Sequence, residues 1–417
     1  MKTVALVDFL DGGHHAGWLV QFAETLLRLG NNVVCLCPDP EAIRTRIVAR
    51  APEDASRIQT ILLNNPRHQS LANSRIRLFS EALGRWREVA GILRQRLESP
   101  PDLVFFAWLD HSMAVGLVPW LVDFVFPYRW AGLYFHPWTE RLSPPLRPRP
   151  DFLKWDACLR SRNCRAVAIL DEGVAHKIEQ RIKPTPVLIF PDFAISVTTG
   201  VSTGPLGTIR TVAAGRTVVA SLGSLEPRKG VSTLLRIALR DDVAEFFFVF
   251  AGTLEVSVFP SEDQRMWERV LSDPPENCLF HLNGIESDWE FDRTVRDSDI
   301  LYAAYHEFRH SSNLLAKAAQ FQKPIVVSRG FCMEERVNRF SLGIAVEEAD
   351  VEESVSALHT LRQEIETLGP GPNRRFVEYV REHSPATLER CLRRVLETCD
   401  NDAPAVQTLT NLASVQQ

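Results

Sequence analysis

The sequence predicts an α/β protein made of two doubly wound, Rossmann-like domains that face each other across a cleft. The chain has 417 residues, which is more than one hydrophobic core usually contains. Short apolar runs bounded by Gly or Pro alternate with amphipathic segments of helical period. The alternation stops once, at 196–216, in a stretch rich in Gly, Ser and Thr that has no periodicity.

The predicted domain boundaries follow from this interruption. Residues 1–195 form the first domain, 196–216 the linker and 217–370 the second domain. We expect the helical segment 371–398 to pack back on the first domain, and the polar residues 399–417 to form a flexible tail.

The composition is ordinary and excludes some classes of function. A net charge of −5 gives no global basic field, so we expect no nucleic-acid partner. None of the eight cysteines lies in a CxxC pair or at zinc-ligand spacing, which indicates reduced thiols, no metal site and a cytoplasmic protein. The N-terminal run "MKTVALVDFL" is broken by Asp8 and predicts a strand rather than a signal peptide.

The first domain opens with a βαβ unit. Strand "TVALVDFL" leads through the turn "DGGHHAG" into helix "WLVQFAETLLRLG" and strand "NNVVCLCP". Further strands are predicted at "IQTILLN", "DLVFFAWL", "WAGLYFH", "RAVAILD" and "PTPVLIFP".

Two segments between these strands are amphipathic or apolar enough to raise the question of contact with a membrane. Ser74–Glu98 is amphipathic, which predicts a surface helix with a buried stripe or, alternatively, a helix in peripheral contact with an anionic membrane. Its arginines are Arg75, Arg77, Arg85, Arg87, Arg94 and Arg96. The apolar segment Met113–Phe126 is too short to span a bilayer, and we expect a buried helix there.

The second domain repeats the alternation. Strands are predicted at "TVVASLG", "EFFFVFAG", "CLFHLNG", "ILYAAY" and "PIVVS", with helices at "GVSTLLRIAL", "SEDQRMWERVLS", "WEFDRTVRD" and "SNLLAKAAQF". A last long helix is predicted at about 371–398.

Ligands of such sheets bind beyond the carboxyl ends of the strands, so the residues that follow strands are informative. Gly12 and Gly13 either let a ligand approach the backbone or simply make a tight turn. His14 and His15 are adjacent, so at least one faces the cleft or solvent. His136 ends a strand, where it lies in the cleft or has a structural role.

Acidic residues also follow strands of the first half. Asp171, Glu172 and Asp192 face an acceptor or, more commonly for such positions, cap helices.

In the second half, cations stand at the turn after the first strand. Arg228 and Lys229 are placed to pair with a diphosphate while Gly230 begins the next helix, although an exposed basic pair is the alternative. The later helix start Ser311–Asn313 offers hydroxyl, amide and free backbone N–H groups. Lys317 lies where the helix dipole disfavours a cation, which a bound anion or solvent exposure would explain.

The segments "GSLEPRKGVSTLL", "NGIESDWEFDRTVRDSDILYAAY" and "SSNLLAKAAQFQKPIVVS" resemble the nucleotide-sugar domain of family-4-type glycosyltransferases, which have the GT-B fold. "DGGHHAGWLVQFAETLLRLGNNVVCLCP" is similar to the acceptor-side start of that family. The resemblance extends from Thr3 to about Thr398 and is strongest between Thr217 and Val351.

The resemblance implies transfer of a sugar from a nucleoside diphosphate sugar to an acceptor hydroxyl, with retention and without metal or other cofactor. It implies that Lys229 binds the diphosphate, that Gly12 and Gly13 approach it, and that His136 lies near the transferred sugar. The backbone amides at the start of the "SSNLL" helix would meet the phosphates.

Three positions depart from the family's pattern. Ser224 stands where the family has Arg, and Arg309 and Lys317 stand where it has a Glu pair eight residues apart. Glu307, two residues from the first of these positions, is a candidate substitute. We expect the positive charge of Arg309 and Lys317 to compensate for the missing Arg.

The leading prediction is therefore a glycosyltransferase of polysaccharide or glycoconjugate synthesis, whose acceptor is a glycan or is lipid-linked. A non-catalytic protein that binds a nucleotide sugar or a partner is the main alternative, and a nucleotide-sugar epimerase is another. The candidate catalytic residues are His136 and Glu307, and the acceptor-side candidates are His14 and His15. The donor-binding candidates are Gly12, Gly13, Ser224, Arg228, Lys229, Arg309, Ser311, Ser312, Asn313 and Lys317.

Overall fold

The computed structural model describes residues 1–10, 15–64, 75–142, 150, 153–195, 204–369 and 374–400. The chain divides into two compact units. The first contains Met1–Pro191 together with the chain from Pro385 onward, and the second contains Asp192–Ser384. Each unit has a parallel sheet flanked by helices, and each is described by itself below.

The sheet of the first unit has seven strands in the order β3-β2-β1-β4-β5-β6-β7, all parallel. The strands are β1 (Thr3–Val7), β2 (Asn32–Cys37), β3 (Ile58–Leu62), β4 (Leu103–Phe106), β5 (Trp130–Tyr134), β6 (Cys164–Ile169) and β7 (Val187–Ile189). The central strands are buried over nearly their whole length, as expected of a sheet covered on both faces.

The helices that precede β7 in this unit are α1 (His15–Arg28), α2 (Pro40–Arg50), α3 (Arg75–Arg96), α4 (Pro119–Val125) and α5 (Ala175–Ile182). Helix α3 buries one stripe, which includes Trp86 and Val89, so the prediction of a surface helix with a buried stripe is confirmed. Arg85 belongs to that buried stripe rather than to an exposed basic face, because its guanidinium donates to the carbonyl of His111.

Helix α4 corrects one prediction. The segment Met113–Phe126 is not a buried helix, because only Pro119–Val125 is helical and two of its aromatic side chains face outward. Pro119 occupies the first turn, where its missing N–H costs nothing, and Val122 faces the core. Trp120 and Phe124, one helical turn apart, are 68% and 81% exposed.

The sheet of the second unit has six parallel strands in the order β10-β9-β8-β11-β12-β13. They are β8 (Thr217–Leu225), β9 (Phe246–Leu254), β10 (Cys278–His281), β11 (Ile300–Ala303), β12 (Ile325–Ser328) and β13 (Gly343–Val346). Alternate residues of β8 enter two separate cores: Val218 and Ala220 pack on one face of the sheet, and Val219 packs on the other.

The helices of this unit are α6 (Ile209–Ala213), α7 (Val231–Ala238), α8 (Ser261–Ser272), α9 (Asp288–Asp297), α10 (Asn313–Gln320), α11 (Cys332–Phe340), α12 (Val351–Leu368) and α13 (Phe376–Glu382). Helix α6 lies within the stretch that the sequence predicts as linker. Its residues Ile209 and Ala213, with Leu206, are buried in the core of the second unit. Residues 204–216 are thus part of that unit.

The predicted last helix is two helices. A proline inside a helix removes a hydrogen bond and clashes with the preceding turn, and Pro385 separates α13 from α14 (Pro385–Glu397). Helix α14 belongs to the first unit and lies beside α1. The ammonium of Lys2 donates to the carbonyl of Leu396 at 2.7 Å and fixes the end of α14.

All eight cysteines are free. Six are buried, while Cys278 and Cys391 are half-buried. Burial raises the pKa of seven of these thiols, and raises that of Cys37 to about 12. None of the helices in the described ranges is both long and apolar enough to cross a membrane.

Candidate functional site

The candidate site of the second unit is built around the turn that joins β8 to α7. The turn contains a short 3₁₀ segment, Pro227–Lys229, followed by Gly230 in the left-handed region at φ +67°. A Cβ on Gly230 would lie 2.2 Å from the carbonyl oxygen of Ala304, so only glycine fits. The N–H of His306 donates to the carbonyl of Arg228 at 2.8 Å. The β8–α7 turn is therefore held against the chain that follows β11.

Lys229 is the main unpaired cation of this turn. Its ammonium lies 4.2 Å from the ring centroid of Tyr305, and within the described ranges no carboxylate forms an ion pair with it. Arg228 differs, because its guanidinium donates to Glu226 at 2.8 Å and is exposed. The hydroxyl of Ser224 also donates to Glu226, at 2.6 Å. These two hydrogen bonds, that from Ser224 first, lower the pKa of the Glu226 carboxyl.

A cavity of about 490 Å³ opens beside this turn. One wall is the end of β8 and its turn, and the other is the chain after β9. Its lining residues are Ser224, Leu225, Glu226, Pro227, Arg228, Thr253, Glu255 and Val258. Its position at the carboxyl ends of two parallel strands is where open α/β sheets bind ligands.

Two glycines bring these strand ends together. Gly223 and Gly252 face each other in the β8–β9 register, and a Cβ on Gly252 would lie 1.6 Å from the carbonyl oxygen of Gly223. Gly284, after β10, donates its N–H to the carbonyl of Gly252 at 3.0 Å. Such a close backbone approach requires glycine, and the next residue pair along the two strands, Ser224 and Thr253, lines the cavity.

The chain between β11 and α10 presents buried polar atoms that have no hydrogen-bond partner among the described residues. They are the hydroxyl of Tyr305, Nε2 of His306 and Nε of Arg309. The guanidinium of Arg309 lies 5.4 Å from the ring centroid of Phe331. Glu307 adopts a left-handed conformation (φ +49°), and its N–H donates to Glu348 at 2.8 Å. Buried polar groups are normally hydrogen-bonded, so these three atoms are candidates for contact with a bound ligand.

The start of α10 is held by the chain that enters the second unit. Ser312 caps the helix, its hydroxyl accepting from the N–H of Leu314 at 3.4 Å. Ser311 donates to the carboxylate of Asp192, which the buried guanidinium of Arg336 also contacts. The side-chain amide of Asn313 donates to the carbonyl of Phe193 at 3.1 Å. Two of the three polar side chains predicted for phosphate thus anchor the entering chain.

Lys317 is buried and paired, unlike a cation held free for a ligand. Its ammonium binds the fully buried carboxylate of Asp292 on α9 and donates to the carbonyl of Ile195 at 2.6 Å. A buried ion pair of this kind needs both partners, because a lone charge in the interior is costly. Lys317 therefore stabilises the packing of α9, α10 and the entering chain.

The first unit carries a second cluster at the carboxyl ends of β1, β4 and β5. Nδ1 of His15 lies 3.0 Å from both carboxylate oxygens of Asp8, and its ring stacks on Trp108 with centroids 4.2 Å apart. Trp108 in turn stacks on Phe135 at 3.9 Å. His136 is half-exposed beside the same indole, at 5.4 Å. His14 lies outside the described residues, as do Gly12 and Gly13. The prediction that at least one of the adjacent histidines faces the cleft or solvent is therefore not tested for His14.

Asp110 positions the β5 end of this cluster. Its carboxylate accepts the N–H groups of Phe135 and His136, at 2.7 and 2.8 Å. Burial raises the pKa of Asp110 to about 6, although these two hydrogen bonds oppose the rise. Of the other predicted acids, Asp171 caps the turn after β6 through the N–H of Gly173 and pairs with Arg141. It therefore has the structural role that was the commoner expectation.

Sequence reasoning missed several residues of both clusters. Tyr305 and Trp108 were hidden inside or just after apolar runs, where an aromatic residue normally signals core. Thr253 and Glu255 follow a strand and could have been found by the rule that the carboxyl ends of strands carry function. The partner of Lys317 gave no local signal, because Asp292 lies on a different helix.

No family model and no curated protein sequence matches the chain. Solved structures do match in fold. HepE from Anabaena, crystallised in complex with UDP-glucose, is 14% identical and superposes with a TM-score of 0.62 over 96% of this chain and 100% of its own. Sucrose-phosphate synthase from Thermosynechococcus elongatus is 14% identical, with a TM-score of 0.61 over 96% of this chain and 98% of its own.

The alpha,alpha-trehalose 6-phosphate synthase of Burkholderia multivorans is 12% identical, with a TM-score of 0.62 over 96% of this chain and 99% of its own. At such identities the likeness shows the fold alone. The prediction of an α/β protein with two Rossmann-like sheets of the GT-B type is confirmed.

Proposed function

We propose that this chain is a glycosyltransferase that binds a nucleoside diphosphate sugar at the β8–α7 turn and transfers the sugar to an acceptor hydroxyl. The observation that carries the proposal is Lys229, a cation without a carboxylate partner among the described residues, in the same turn whose preceding residues, Ser224–Arg228, line a 490 Å³ cavity. The cavity lies at the carboxyl edge of a parallel sheet, and the fold is shared with proteins crystallised with UDP or UDP-glucose.

The diphosphate has two cationic partners in this proposal. Lys229 binds it from the β8–α7 turn, and Arg309, whose Nε has no hydrogen-bond partner in the described part of the chain, binds it from the β11–α10 segment. Negative charge grows on the leaving diphosphate as the glycosidic bond breaks, and fixed cations stabilise it. In this scheme the cationic side chains supply the charge that a metal ion would otherwise supply. Arg309 replaces the arginine that the family has at Ser224, whereas Lys317 serves packing.

The nucleoside occupies the cavity in this proposal. Ser224 and Arg228 keep Glu226 charged, and a carboxylate accepts hydrogen bonds from a ribose diol. Thr253 and Glu255 offer further polar groups to the base from the opposite wall.

We assign the transferred sugar to Glu307 and the acceptor to the first unit. The backbone N–H of Glu307 donates to Glu348 and fixes the position of Glu307. The carboxylate of Glu307 therefore remains available to the hydroxyl groups of the sugar. In the first unit, His136 is the partly exposed side chain of the aromatic cluster, its ring beside that of Trp108, and we place the acceptor next to it. Retention of configuration and a role in polysaccharide synthesis rest on the family resemblance.

A second candidate is a nucleotide-sugar binder without turnover. Lys317 favours this second candidate, because it forms a buried structural ion pair at the position where the family that the sequence resembles has a functional Glu. The two candidates share the donor site and differ only in chemistry.

Calorimetry with UDP-, GDP- and ADP-glucose tests the shared site. We expect one of them to bind, and Lys229→Ala to weaken that binding by about tenfold or more, since a charge-assisted contact is lost. Arg265→Ala, which removes an exposed cation on α8 of the same unit, is the matched control and should bind as the wild type does.

A product assay then separates the candidates. Release of nucleoside diphosphate together with a glycosylated acceptor supports the transferase, whereas tight binding without turnover supports the binder. Epimerised sugar would indicate the third possibility raised by the sequence. Failure of all three nucleotide sugars to bind contradicts the donor site itself.

A further inference from the structure

Helix α4 is short, yet it exposes two large aromatic side chains. Trp120 and Phe124 follow each other by one helical turn and project from the same side of the helix, 68% and 81% exposed. The opposite side of the helix packs on the core through Val122. Together with Asp123 and Arg162, the two aromatic residues line a recess of about 420 Å³. Contiguous exposed apolar patches of this kind are often interaction sites.

Basic residues are fixed beside the two rings. The turn that carries Arg160 and Arg162 is tied to α4 by Asp123, whose carboxylate accepts the hydroxyl of Ser161 at 2.6 Å and the N–H groups of Arg162 and Asn163 at 3.4 Å each. Arg160 is exposed, and the side chain of Arg162 is 82% exposed. Asp123, whose side chain is 13% exposed, also lies 3.9 Å from Nε of Arg162, and two arginines against this one carboxylate give the patch a formal charge of +1.

These features fit the interface of a lipid bilayer better than a second copy of the chain. Two exposed aromatic side chains supply roughly 300 Å² of apolar surface, well below the ~800 Å² per partner of a stable protein interface. Tryptophan and phenylalanine insert at the boundary between headgroups and acyl chains, and arginines beside them pair with lipid phosphates. The charge of the patch is complementary to an anionic leaflet.

We propose that α4 and the 160–162 turn form a membrane-docking patch that binds anionic bilayers, with Trp120 and Phe124 inserted and Arg160 and Arg162 on the headgroups. This goes beyond the proposed glycosyl transfer and does not depend on it. It also differs from contact through the arginines of α3, which the sequence suggested. The patch is compact, and it lies on the unit to which we assign the acceptor.

Co-sedimentation of the full chain with phosphatidylcholine vesicles, with and without phosphatidylglycerol, tests the patch. We expect the wild type to bind the anionic vesicles, and Trp120→Ser/Phe124→Ser to lower the partition coefficient by about tenfold or more. Arg160→Gln/Arg162→Gln should remove the preference for phosphatidylglycerol and its sensitivity to salt.

Two matched controls make the result specific. Val377→Ser removes a side chain that is 71% exposed on α13 of the second unit, and Arg87→Gln/Arg94→Gln removes two exposed cations of α3. Both should bind vesicles as the wild type does. Vesicles of brominated lipid should quench the wild-type fluorescence more than that of Trp120→Phe, which reports insertion without loss of an aromatic ring.

Several outcomes would overturn the proposal. Binding that is lost in the α3 variant and kept in the α4 variant places the contact on α3. A wild type that ignores vesicles, or one that light scattering shows as a dimer dissociated by Trp120→Ser/Phe124→Ser, assigns the patch to something other than a membrane. Nucleotide-sugar binding is measured separately and is expected to be unchanged in every α4 variant.

Discussion

Gly230 shows how one residue determines the geometry of the candidate donor site. Its left-handed conformation ends the Pro227–Lys229 turn, and its missing side chain lets the turn touch the backbone of Ala304. The same approach places Lys229 over the ring of Tyr305. The sequence predicted that Gly230 begins a helix, but the neighbour that excludes a side chain there is Ala304, directly after β11, and no local pattern reveals it.

We expect Gly230→Ala to cost stability in two ways. The left-handed backbone alone costs an alanine about 1 kcal/mol, and the overlap with the Ala304 carbonyl should add about 1–3 kcal/mol. Gly215→Ala is the matched control, because Gly215 has φ +85° and no atom within 4 Å of the added Cβ. Urea unfolding of both variants measures the difference. Equal losses would mean that the turn moves away from β11 without cost.

At the scale of elements, the most informative contact joins α10 to α9. The sequence left a bound anion or solvent exposure to explain a cation at position 317, and the family resemblance placed Lys317 beside the diphosphate. The structure gives a different explanation, since the ammonium neutralises the buried carboxylate of Asp292. Element order and strand positions were predictable from periodicity, whereas such pairing across helices is set by tertiary packing.

We expect Lys317→Met to lower the free energy of unfolding by about 3–5 kcal/mol, because it breaks the buried ion pair between Lys317 and Asp292. Lys317→Met/Asp292→Leu should recover most of this loss. Arg240→Met is the control: it breaks exposed pairs with Asp242 and Glu352 and should leave the free energy of unfolding close to that of the wild type. Chemical unfolding measures stability and calorimetry measures nucleotide-sugar binding. A stable Lys317→Met variant that no longer binds the donor would instead indicate that Lys317 binds the phosphate groups.

At the scale of the whole molecule, the alternation of strands and helices was sufficient to predict two Rossmann-like sheets. The boundaries were harder, because they depend on side chains that meet only in the folded chain. A Gly- and Ser-rich composition indicated a linker up to residue 216, yet Leu206 and Ile209 complete the second core. A helical pattern up to residue 398 concealed the break at Pro385, where the chain leaves the second unit for the first.

This arrangement predicts which fragment of the chain folds alone. Residues 192–384 contain one complete sheet together with the partners of Ser311, Asn313 and Lys317, which are Asp192, Phe193 and Ile195. A fragment that starts at residue 217, where the sequence placed the domain, lacks these partners and the buried side chains of α6.

We therefore expect fragment 192–384 to unfold cooperatively and to bind the same nucleoside diphosphate as the full chain, because Lys229, the cavity and Arg309 all lie within it. Fragment 217–384 should aggregate or melt without cooperativity, since it lacks the Ile195 carbonyl that accepts from Lys317 and leaves an apolar core face uncovered. Calorimetric scans with and without UDP, GDP or ADP measure both properties. A well-folded 217–384 fragment would show that the entering chain is dispensable. A folded 192–384 fragment that binds no nucleotide would instead show that the donor site needs residues of the first unit.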